Sequence, residues 1–209
     1  MKPEYDVVVV GAGVGGCVAA TAIGIQGKGS KVLLIDRNPQ AEVGKKTTRG
    51  WICGDAVGEH HTKFVKDELG IEFGPPEIES SVKAVLVLSP DRSVSHPFEG
   101  SGYALNRPKF ARRLLGEALK TGIEYRDLTQ ATDLLTEGSF VTGVVCQDLR
   151  AKQTASRSYK VTSKIVIDAS GMSTKLRRNL KIPSFIEKEI DRDDIEPTIR
   201  LIARLANGT

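Results

Sequence analysis

Residues 5–24, YDVVVVGAGVGGCVAATAIG, decide the fold: a β-branched run, a glycine-rich turn and an alanine-rich segment. Residues 7–10 are four valines without polar alternation, which is typical of a parallel strand buried on both faces. Gly11, Gly13 and Gly16 then form a Gly-x-Gly-x-x-Gly pattern. In that pattern the first glycine permits the turn, the second lets a pyrophosphate approach, and the third lets the helix pack on the sheet. The helix N-terminus would offer N–H groups to the phosphates.

A second strand and an acidic residue complete this dinucleotide-binding fingerprint. Residues 32–35 are apolar and are followed by Asp36, twenty residues after Gly16. An acidic side chain at this position accepts hydrogen bonds from a ribose diol. The alternative interpretation of Asp36 is a simple loop carboxylate at a strand end. With every part in register, the sequence predicts an α/β dinucleotide-binding domain.

Composition and charge narrow the class of protein. A chain of 209 residues with 40% hydrophobic and 27% charged residues is typical of an ordinary soluble globular protein. The net charge of +4 suits an anionic cofactor. The sequence has no basic patch with interspersed aromatic residues, so it gives no indication of nucleic-acid binding. Three widely spaced cysteines indicate no disulfide framework and a reducing compartment. No metal is predicted, because Cys53, His60 and His61 lack the second ligand cluster of a zinc site.

The fingerprint serves both FAD and NAD, and the residues after Asp36 favour FAD. An NAD domain would continue quickly into another helix and a third parallel strand, whereas residues 37–52 are polar and irregular. A helix is then predicted from Asp55, its N-cap, to a stop at Gly70, with an apolar face. The residues predicted to form that face are Val57, His61, Phe64, Val65 and Leu69.

A further helix is predicted after Arg107, with Pro108 in its first turn and Gly122 at its end. Its buried stripe is Phe110, Leu114, Leu115, Ala118 and Leu119. A cation at a helix N-terminus is disfavoured by the dipole, so Arg107 either binds an anion or is a surface arginine. Strands are predicted around residue 134 and over 140–146, a polar hairpin tip near 152–157, and a strand, turn and short basic helix over 164–178.

Together these segments resemble the FAD-binding half of the p-hydroxybenzoate-hydroxylase-type flavoproteins, and most of all the geranylgeranyl reductase family, including archaeal digeranylgeranylglycerophospholipid reductases. The resemblance is strongest at residues 5–37, 49–58, 103–122 and 164–178. GYALNRPKF (102–110) resembles the family's Tyr-x-x-x-Arg-x-x-Phe box, in which the arginine contacts FAD. DASGMSTKLRR (168–178) resembles its Ala-x-Gly-x-x-Ser-x-x-Arg box. Ser170 and Thr174 stand where many relatives have Asp and Ser, which weakens the expectation of phosphate contacts from this segment.

The resemblance also interprets residues 53–58, CGDAVG, as the family's Cys-Gly segment beside the flavin ring. A helix beginning near Asp55 would direct N–H groups at the flavin, and Gly54 and Ala56 are small enough for a close approach to a planar ring. Cys53 is the candidate catalytic residue, because a thiol with a pKa of about 8.5 is mostly protonated at neutral pH and could supply or gate a proton. A small buried thiol that only packs is the alternative.

The resulting expectations are as follows. The fold is α/β, a Rossmann-like FAD-binding domain of the glutathione-reductase and p-hydroxybenzoate-hydroxylase type, with a parallel sheet and an antiparallel β insertion. Residues 1–190 form this domain, with 37–60 as a flavin-side loop and 75–100 as a strand-rich segment on the substrate side. Residues 191–209 begin a substrate domain that is largely absent. The candidate cofactor-binding residues are Gly11, Gly13, Gly15, Gly16, Asp36, Arg37, Cys53, Gly54, Ala56, Arg107, Ala131 and Gly171.

The predicted function is FAD-dependent saturation of double bonds in geranylgeranyl chains, on ether phospholipids of the archaeal type. An aromatic hydroxylase or halogenase on the same scaffold and an FAD-binding module without activity are the alternatives. The expected partners are a prenyl-lipid substrate and an electron donor, either NAD(P)H or ferredoxin-like. The predicted location is cytoplasmic, with peripheral contact at the inner membrane face. Residues 7–25 carry no charge, yet the flanking acids and internal glycines argue against a signal peptide or membrane span.

Overall fold

The computed structural model describes residues 3–45, 54–150, 158–171, 175–184, 186–187, 190–191 and 193. Its elements are β1 (Tyr5–Val10), α1 (Val14–Gln26), β2 (Val32–Ile35), β3 (Ala56–Gly58), α2 (Glu59–Leu69), β4 (Ile78–Leu88), β5 (Ser95–Leu105), α3 (Arg107–Lys120), β6 (Glu124–Arg126), β7 (Thr129–Glu137), β8 (Phe140–Asp148), β9 (Ser158–Asp168) and α4 (Lys175–Arg178). A short 3-10 turn at Gln40–Glu42 lies between β2 and β3. In the part of the chain that is described, none of the helices is long and apolar enough to cross a membrane.

Two sheets organise these elements. A six-stranded sheet has the order β6-β2-β1-β9-β8-β7, and its first four strands are mutually parallel. Strands β7, β8 and β9 form an antiparallel meander, in which β8 pairs with residues 158–162 of β9 and β1 pairs with residues 163–168. A separate antiparallel sheet has the order β3-β5-β4. The predicted Rossmann-like fold with a parallel sheet and an antiparallel insertion is confirmed.

The parallel strands are buried on both faces, as the unbroken valines of β1 predicted. Val7 and Val9 pack with α1 and α3, and Val8 and Val10 pack against the β7–β9 meander. Leu33, Leu34 and Ile35 of β2 are fully buried. Because apolar side chains fill both faces of β1 and β2, the turns at the carboxyl ends of these strands rest on a rigid base.

The predicted buried stripe of α3 is confirmed for four of its five residues, Leu119 being only partly buried, and the helix begins at Arg107 as predicted. Phe110, Leu114, Leu115 and Ala118 are buried on this face. Asn106 caps the helix by accepting a hydrogen bond from the Lys109 N–H at 3.3 Å. Strands are also found where they were predicted around residue 134 and over 140–146. The predicted hairpin tip near 152–157 lies outside the described residues.

The prediction for the start of α2 is wrong. The helix begins at Glu59 with Gly58 as its N-cap, and Asp55 instead has a positive φ of 57°. Residues 56–58 pair with β5, and the Asp55 carbonyl accepts a hydrogen bond from the Leu105 N–H at 2.7 Å. These long-range bonds occupy backbone groups that a helix would need. The helix end at Gly70 is confirmed by its left-handed φ of 69°. The predicted apolar face of α2 is not buried, and 60% of Phe64 is exposed.

The polar side of α3 gives a pH-dependent prediction. Glu117 accepts hydrogen bonds from Lys120 Nζ at 2.8 Å and Arg113 Nε at 2.6 Å. The hydrogen bond from Lys120 lowers the pKa of the Glu117 carboxyl, and the hydrogen bond from Arg113 adds to this effect. Partial burial acts in the opposite direction, but the net result is a lowered pKa. A lowered folded-state pKa means that the stabilisation is complete above the unfolded value and is lost as the pH falls through the folded value. We expect Glu117→Gln to lower the free energy of unfolding by roughly 0.2–1 kcal/mol at pH 7.

The difference between Glu117→Gln and wild type should shrink as the pH falls from 7 to 3, because the wild-type carboxyl becomes increasingly protonated and loses its charged hydrogen bonds. Urea unfolding of both proteins at the two pH values measures this. Glu68→Gln, which changes an exposed carboxylate on α2, is the matched control and should leave the free energy of unfolding nearly unchanged. An equal Glu117→Gln effect at pH 3 and pH 7 would show that packing, not charge, is responsible.

Candidate cofactor-binding site

The glycines of the first turn divide into two that pack and two that face open space. A Cβ on Gly11, which has a φ of 103°, would lie 2.4 Å from the Ala169 carbonyl oxygen. A Cβ on Gly16 would lie 1.7 Å from the Gly11 carbonyl oxygen. For Gly13 and Gly15, by contrast, no atom of the described residues, apart from the adjoining backbone, lies within 4 Å of the Cβ position. The turn is therefore tightly packed on its inner side and bare on its outer side.

The bare side coincides with the start of α1. Gly13 is the N-cap of this helix, and no side chain of the described residues caps it. An uncapped helix N-terminus leaves N–H groups for a ligand, and its partial positive charge favours an anion. The two open glycines give a phosphate room to reach those N–H groups. The start of α1 therefore has the geometry that the pyrophosphate of a dinucleotide requires.

Asp36 is held next to this turn by two backbone amides. Its Oδ2 accepts a hydrogen bond from the Ala12 N–H and its Oδ1 one from the Asn38 N–H, each at 2.7 Å. Each carboxylate oxygen can accept a second hydrogen bond, so capacity for ribose hydroxyls remains. The Asp36 N–H donates to the Arg126 carbonyl and its own carbonyl accepts from Thr129, which fixes the residue to β6 and β7. Asp36 is thus both a structural link and an available acceptor.

A cleft of about 250 Å³ opens at the carboxyl ends of β1, β2 and β9. It brings together four of the predicted residues, Gly11, Asp36, Arg37 and Ala131, and Ser170 also lines it. The strand order changes direction at β1, because β2 lies on one side and β9 on the other. Ligands of open α/β sheets bind at such a switch point. The volume is below the roughly 300–1,000 Å³ of complete ligand pockets, so the cleft suits one part of a dinucleotide.

The remaining predicted residues lie elsewhere. Gly171, at the end of the β9 turn, follows the cleft residue Ser170 and has a φ of 72°. Gly54 and Ala56 lie beside the start of α3, because Ala56 pairs with Ala104, three residues before Arg107. The Arg107 guanidinium lies 6.0 Å from the centre of the Phe110 ring. Gly54, Ala56 and Arg107 form a second group, which does not line the cleft. Cys53 lies outside the described residues.

The helix N-terminus predicted near Asp55, which was expected to direct N–H groups at the flavin, is not found in this second group. Since α2 begins at Glu59, the residues next to Gly54 do not form a helix N-terminus. Ala56 instead belongs to the extended strand β3, and its side chain is exposed. Within the described part of the chain, a Cβ on Gly54 would meet no atom within 4 Å, so a planar ring could approach its backbone. The segment can offer bare backbone to a flavin ring, but not the helix dipole that the sequence suggested.

The cleft residues that were not predicted as cofactor-binding from the sequence include the polar side chains of Gln130, Lys175 and Arg178. Lys175 and Arg178 flank Leu176 on α4, which packs on β7. Between them, Arg177 keeps its Nε and one Nη buried with no hydrogen-bond partner in the described structure. This positive charge beside the cleft suits an anionic ligand. The basic KLRR sequence was the available signal, but only the packing of α4 on β7 relates it to Asp36.

Two buried thiols lie away from solvent. Burial, with the Asp36 carboxylate as a smaller cause, raises the pKa of Cys17 to about 12, and burial raises that of Cys146 to about 11. Since the thiolate is the reactive form, we expect neither thiol to react with iodoacetamide at pH 8 while the protein is folded. Peptide mass spectrometry before and after unfolding in urea measures this, and unfolding should expose both. Alkylation of Cys17 in the folded protein would contradict the packing of α1 on the sheet.

Within the described residues, no three His, Cys, Asp or Glu side chains are grouped as a metal site would need. The cleft offers instead an acidic acceptor and basic residues, and the open N-terminus of α1 follows the cleft residue Gly11 in the chain. FAD fits these residues, because its pyrophosphate matches the bare glycines and its ribose diol matches Asp36. The features that support this fit are the open Cβ positions of Gly13 and Gly15 and the partnerless guanidinium nitrogens of Arg177.

Curated relatives match almost the whole chain. A digeranylgeranylglycerophospholipid reductase from Sulfolobus acidocaldarius is 32% identical over 94% of this chain and 40% of its own length. Digeranylgeranylglycerophospholipid reductase 2 from Methanococcoides burtonii is 34% identical over 99% of this chain and 47% of its own length. The resemblance to geranylgeranyl reductases is confirmed. The chain spans less than half the length of these two relatives.

Solved structures share the fold. A geranylgeranyl bacteriochlorophyll reductase-like protein from Thermoplasma acidophilum superposes with a TM-score of 0.68 at 26% identity, covering 85% of this chain and 42% of that protein. A flavin-dependent brominase superposes with a TM-score of 0.62 at 23% identity, covering 84% and 40%, and shows the fold alone. The model of the FAD dependent oxidoreductase family matches residues 6–181, which contain the whole cleft. The chain therefore belongs to the FAD dependent oxidoreductase family.

Proposed function

We propose that this chain is the FAD-binding part of a reductase that saturates carbon–carbon double bonds in geranylgeranyl chains of archaeal-type ether phospholipids. The observation that carries the proposal is the 32–34% identity to digeranylgeranylglycerophospholipid reductases over 94–99% of this chain. That identity spans the cleft, the Arg107 box and the Cys53 segment. The activity is therefore assigned by similarity, and the site geometry supplies its cofactor chemistry.

The described residues would hold FAD in two groups. In the first, the N-terminus of α1, with Gly13 and Gly15, faces the pyrophosphate, while Asp36 accepts hydrogen bonds from the ribose and Arg37 and Ala131 line the adenosine side. In the second group, the small residues Gly54 and Ala56 leave their backbone accessible to the flavin. Arg107 stands at the N-terminus of α3, where an anionic partner would compensate the unfavourable dipole.

FAD, when bound, supplies the hydride chemistry that reduction of a carbon–carbon double bond requires. The second hydrogen arrives as a proton, and we assign its delivery or gating to Cys53. An ordinary thiol has a pKa of about 8.5, so it carries its proton at neutral pH. Cys53 directly precedes Gly54 in the chain, and thus belongs to the segment we place beside the flavin.

The remaining partners follow from the chemistry. Each saturated bond consumes two electrons, so a donor must reduce the cofactor again; we propose NAD(P)H or a ferredoxin-like protein. A geranylgeranyl lipid resides in a membrane, so we also propose a cytoplasmic protein with peripheral contact at the inner membrane face. Sedimentation with liposomes that contain the lipid, compared with liposomes that lack it, tests this contact.

The proposal is tested first by the absorption spectrum of the purified chain, recorded after soaking with FAD and desalting. A retained flavin spectrum supports the cofactor site. The chain is then incubated with digeranylgeranylglycerophospholipid and dithionite, and mass spectrometry records the gain of two hydrogen atoms per saturated bond. Retained FAD without saturation, where the Methanococcoides burtonii relative is active, would indicate a binding module without activity. Substrate-dependent hydroxylation with rapid NAD(P)H consumption would indicate a monooxygenase.

A Cys53→Ser substitution tests the proton donor. We expect the flavin spectrum to be unchanged and the rate of lipid saturation to fall by about 10²-fold, the lower end of the range for general acid–base catalysis. Cys146→Ser is the matched control, because that thiol lies on β8 within the meander, is fully buried and should not affect the rate. A Cys53→Ser rate within a factor of about two of wild type would assign the proton to another group.

A further inference from the structure

Helix α3 concentrates the positive charge of the chain. Its fourteen residues hold five cations and one acid, so its net charge of +4 equals that of the whole chain. The remaining residues are therefore neutral in sum. A positive charge that is concentrated on one helix attracts an anionic partner. The five cations are Arg107, Lys109, Arg112, Arg113 and Lys120.

Two of these cations remain for a partner on the outer side of α3. Glu117 forms ion pairs with Arg113 and Lys120. Lys109 and Arg112, by contrast, are exposed and form no ion pair with any residue that the structure describes. The Arg112 Nε donates to a backbone carbonyl of the preceding turn at 3.0 Å. That bond leaves the N–H groups of its two Nη atoms for a further acceptor.

The segment after β2 adds a third cation to this side of the helix. Gly44 packs on the first turn of α3, where a Cβ on it would lie 2.7 Å from the Arg107 carbonyl oxygen. The next residue, Lys45, is exposed. We call the exposed side chains of Lys45, Lys109 and Arg112 the α3 basic surface. Close packing of the two segments holds these cations on one side of the protein.

Two carboxylates border the α3 basic surface. Asp127, which lines a groove with Arg112, accepts a hydrogen bond from the Gln40 N–H at 2.8 Å and forms an ion pair with Arg150. Its charge is thus already compensated. Glu42, on the 3-10 turn, is exposed. One uncompensated carboxylate beside three cations leaves the surface positive.

The α3 basic surface lies at the end of the helix that belongs to the flavin group. We place Arg107, the first residue of α3, with Gly54 and Ala56 around the flavin. Lys109 and Arg112 follow Arg107 by two and five residues, which is about 3 and 7.5 Å along the helix axis. A protein that contacts this surface therefore lies against the segment that the proposed function puts beside the flavin.

The surface suits a protein better than a membrane. The apolar side chains of α3 face the core, as Phe110, Leu114 and Leu115 show, so no apolar side of the helix is left to enter a lipid interface. A helix of this length extends over about 21 Å, which matches the small contacts of transient electron-transfer encounters. Complementary charges speed and orient such encounters.

We propose that the α3 basic surface is the docking surface for an acidic, ferredoxin-like iron–sulfur protein that reduces the bound FAD. Two one-electron transfers, each of which oxidises one reduced cluster, supply the two electrons, and two protons from solvent complete the reduction. This assignment rests on the proposed function, because a reductase must be supplied with electrons, and it selects a protein donor over NAD(P)H.

The experiment measures how fast a reduced two-cluster bacterial ferredoxin reduces FAD held by this chain, followed by flavin absorbance in a stopped-flow instrument. We expect the combined substitutions Lys109→Glu and Arg112→Glu to lower the rate constant by about 10–100-fold at low ionic strength. The difference should shrink at about 1 M salt, where the Debye length is about 3 Å. Dithionite needs no docking surface and should reduce FAD in both proteins equally fast.

Lys28→Glu combined with Lys160→Glu is the matched control. These two exposed lysines lie outside the α3 basic surface, and their substitution changes the net charge by the same amount. We expect this variant to keep the wild-type rate with ferredoxin. An equal loss of rate in both double variants would show that net charge alone, and not a docking surface, is responsible.

Calorimetric titration of the oxidised ferredoxin into the chain measures the contact without electron transfer and without lipid. The two α3 substitutions should abolish the binding signal. Docking and FAD reduction without saturation of the lipid would overturn the proposed substrate and support the docking surface. Wild-type kinetics in the α3 variant would place the donor elsewhere, and reduction by NADPH but not by ferredoxin would identify a nicotinamide donor; either result overturns the docking surface. Binding to phosphatidylglycerol vesicles that the α3 substitutions abolish, with unchanged ferredoxin kinetics, would identify a lipid surface instead.

Discussion

Gly16→Ala is expected to destabilise the protein strongly, whereas Gly15→Ala, one residue earlier, is expected to stabilise it slightly. A Cβ on Gly16 would lie 1.7 Å from the Gly11 carbonyl oxygen, a backbone atom. Gly11 cannot move away easily, because its N–H donates to the Ile35 carbonyl at 2.8 Å and its own Cβ position is 2.4 Å from the Ala169 oxygen. We expect the free energy of unfolding to fall by roughly 3 kcal/mol, at the upper end of overpacking effects.

Gly15→Ala provides the matched control for that result. Gly15 lies in the same helical turn, but among the described residues no atom outside the helix backbone lies within 4 Å of its Cβ position. Replacement of glycine by alanine in a helix then reduces the entropy of the unfolded chain and stabilises by about 0.5–1 kcal/mol. Urea unfolding followed by circular dichroism, with an unchanged m-value, measures both substitutions. Equal effects of the two substitutions would contradict the packing of the turn against β1 and β9.

Asp36→Ala is expected to weaken FAD binding by about 10–100-fold. The substitution removes a charged acceptor from the cleft, and hydrogen bonds to charged groups are worth about 1.5–3 kcal/mol. It also leaves the N–H groups of Ala12 and Asn38 without their 2.7 Å partner, so the glycine turn loses its anchor. Titration of FAD, followed by quenching of flavin fluorescence, gives the dissociation constant directly.

Asp127→Ala separates the loss of an acceptor for FAD from the loss of a carboxylate that anchors the backbone. Asp127 also accepts a hydrogen bond from a backbone N–H, that of Gln40 at 2.8 Å, but it does not line the cleft. Its loss should reduce stability modestly and leave the dissociation constant for FAD unchanged. If Asp36→Ala and Asp127→Ala weakened FAD binding equally, Asp36 would act only through the fold. If neither weakened it, the ribose would lie outside the cleft.

The sequence by itself determined the strand, turn and helix of residues 5–26, the strand that leads to Asp36, and the helix that begins at Arg107. These features depend on local rules. A run of valines favours a buried strand, closely spaced glycines allow a turn that no other residue permits, and the period of apolar residues in α3 defines its buried face. Since neighbouring residues carry all of that information, it can be read without knowledge of distant parts of the chain.

Only the tertiary structure decided which distant residues share a surface. Ala131 and Lys175 meet Asp36 because β7 and α4 pack at the end of β2, and no local pattern encodes that meeting. Helix α2 begins at Glu59 and not at the predicted Asp55, because the pairing of residues 56–58 with β5 outweighs a weak helical preference. Long-range backbone pairing and packing set these outcomes, and their energies exceed local preferences.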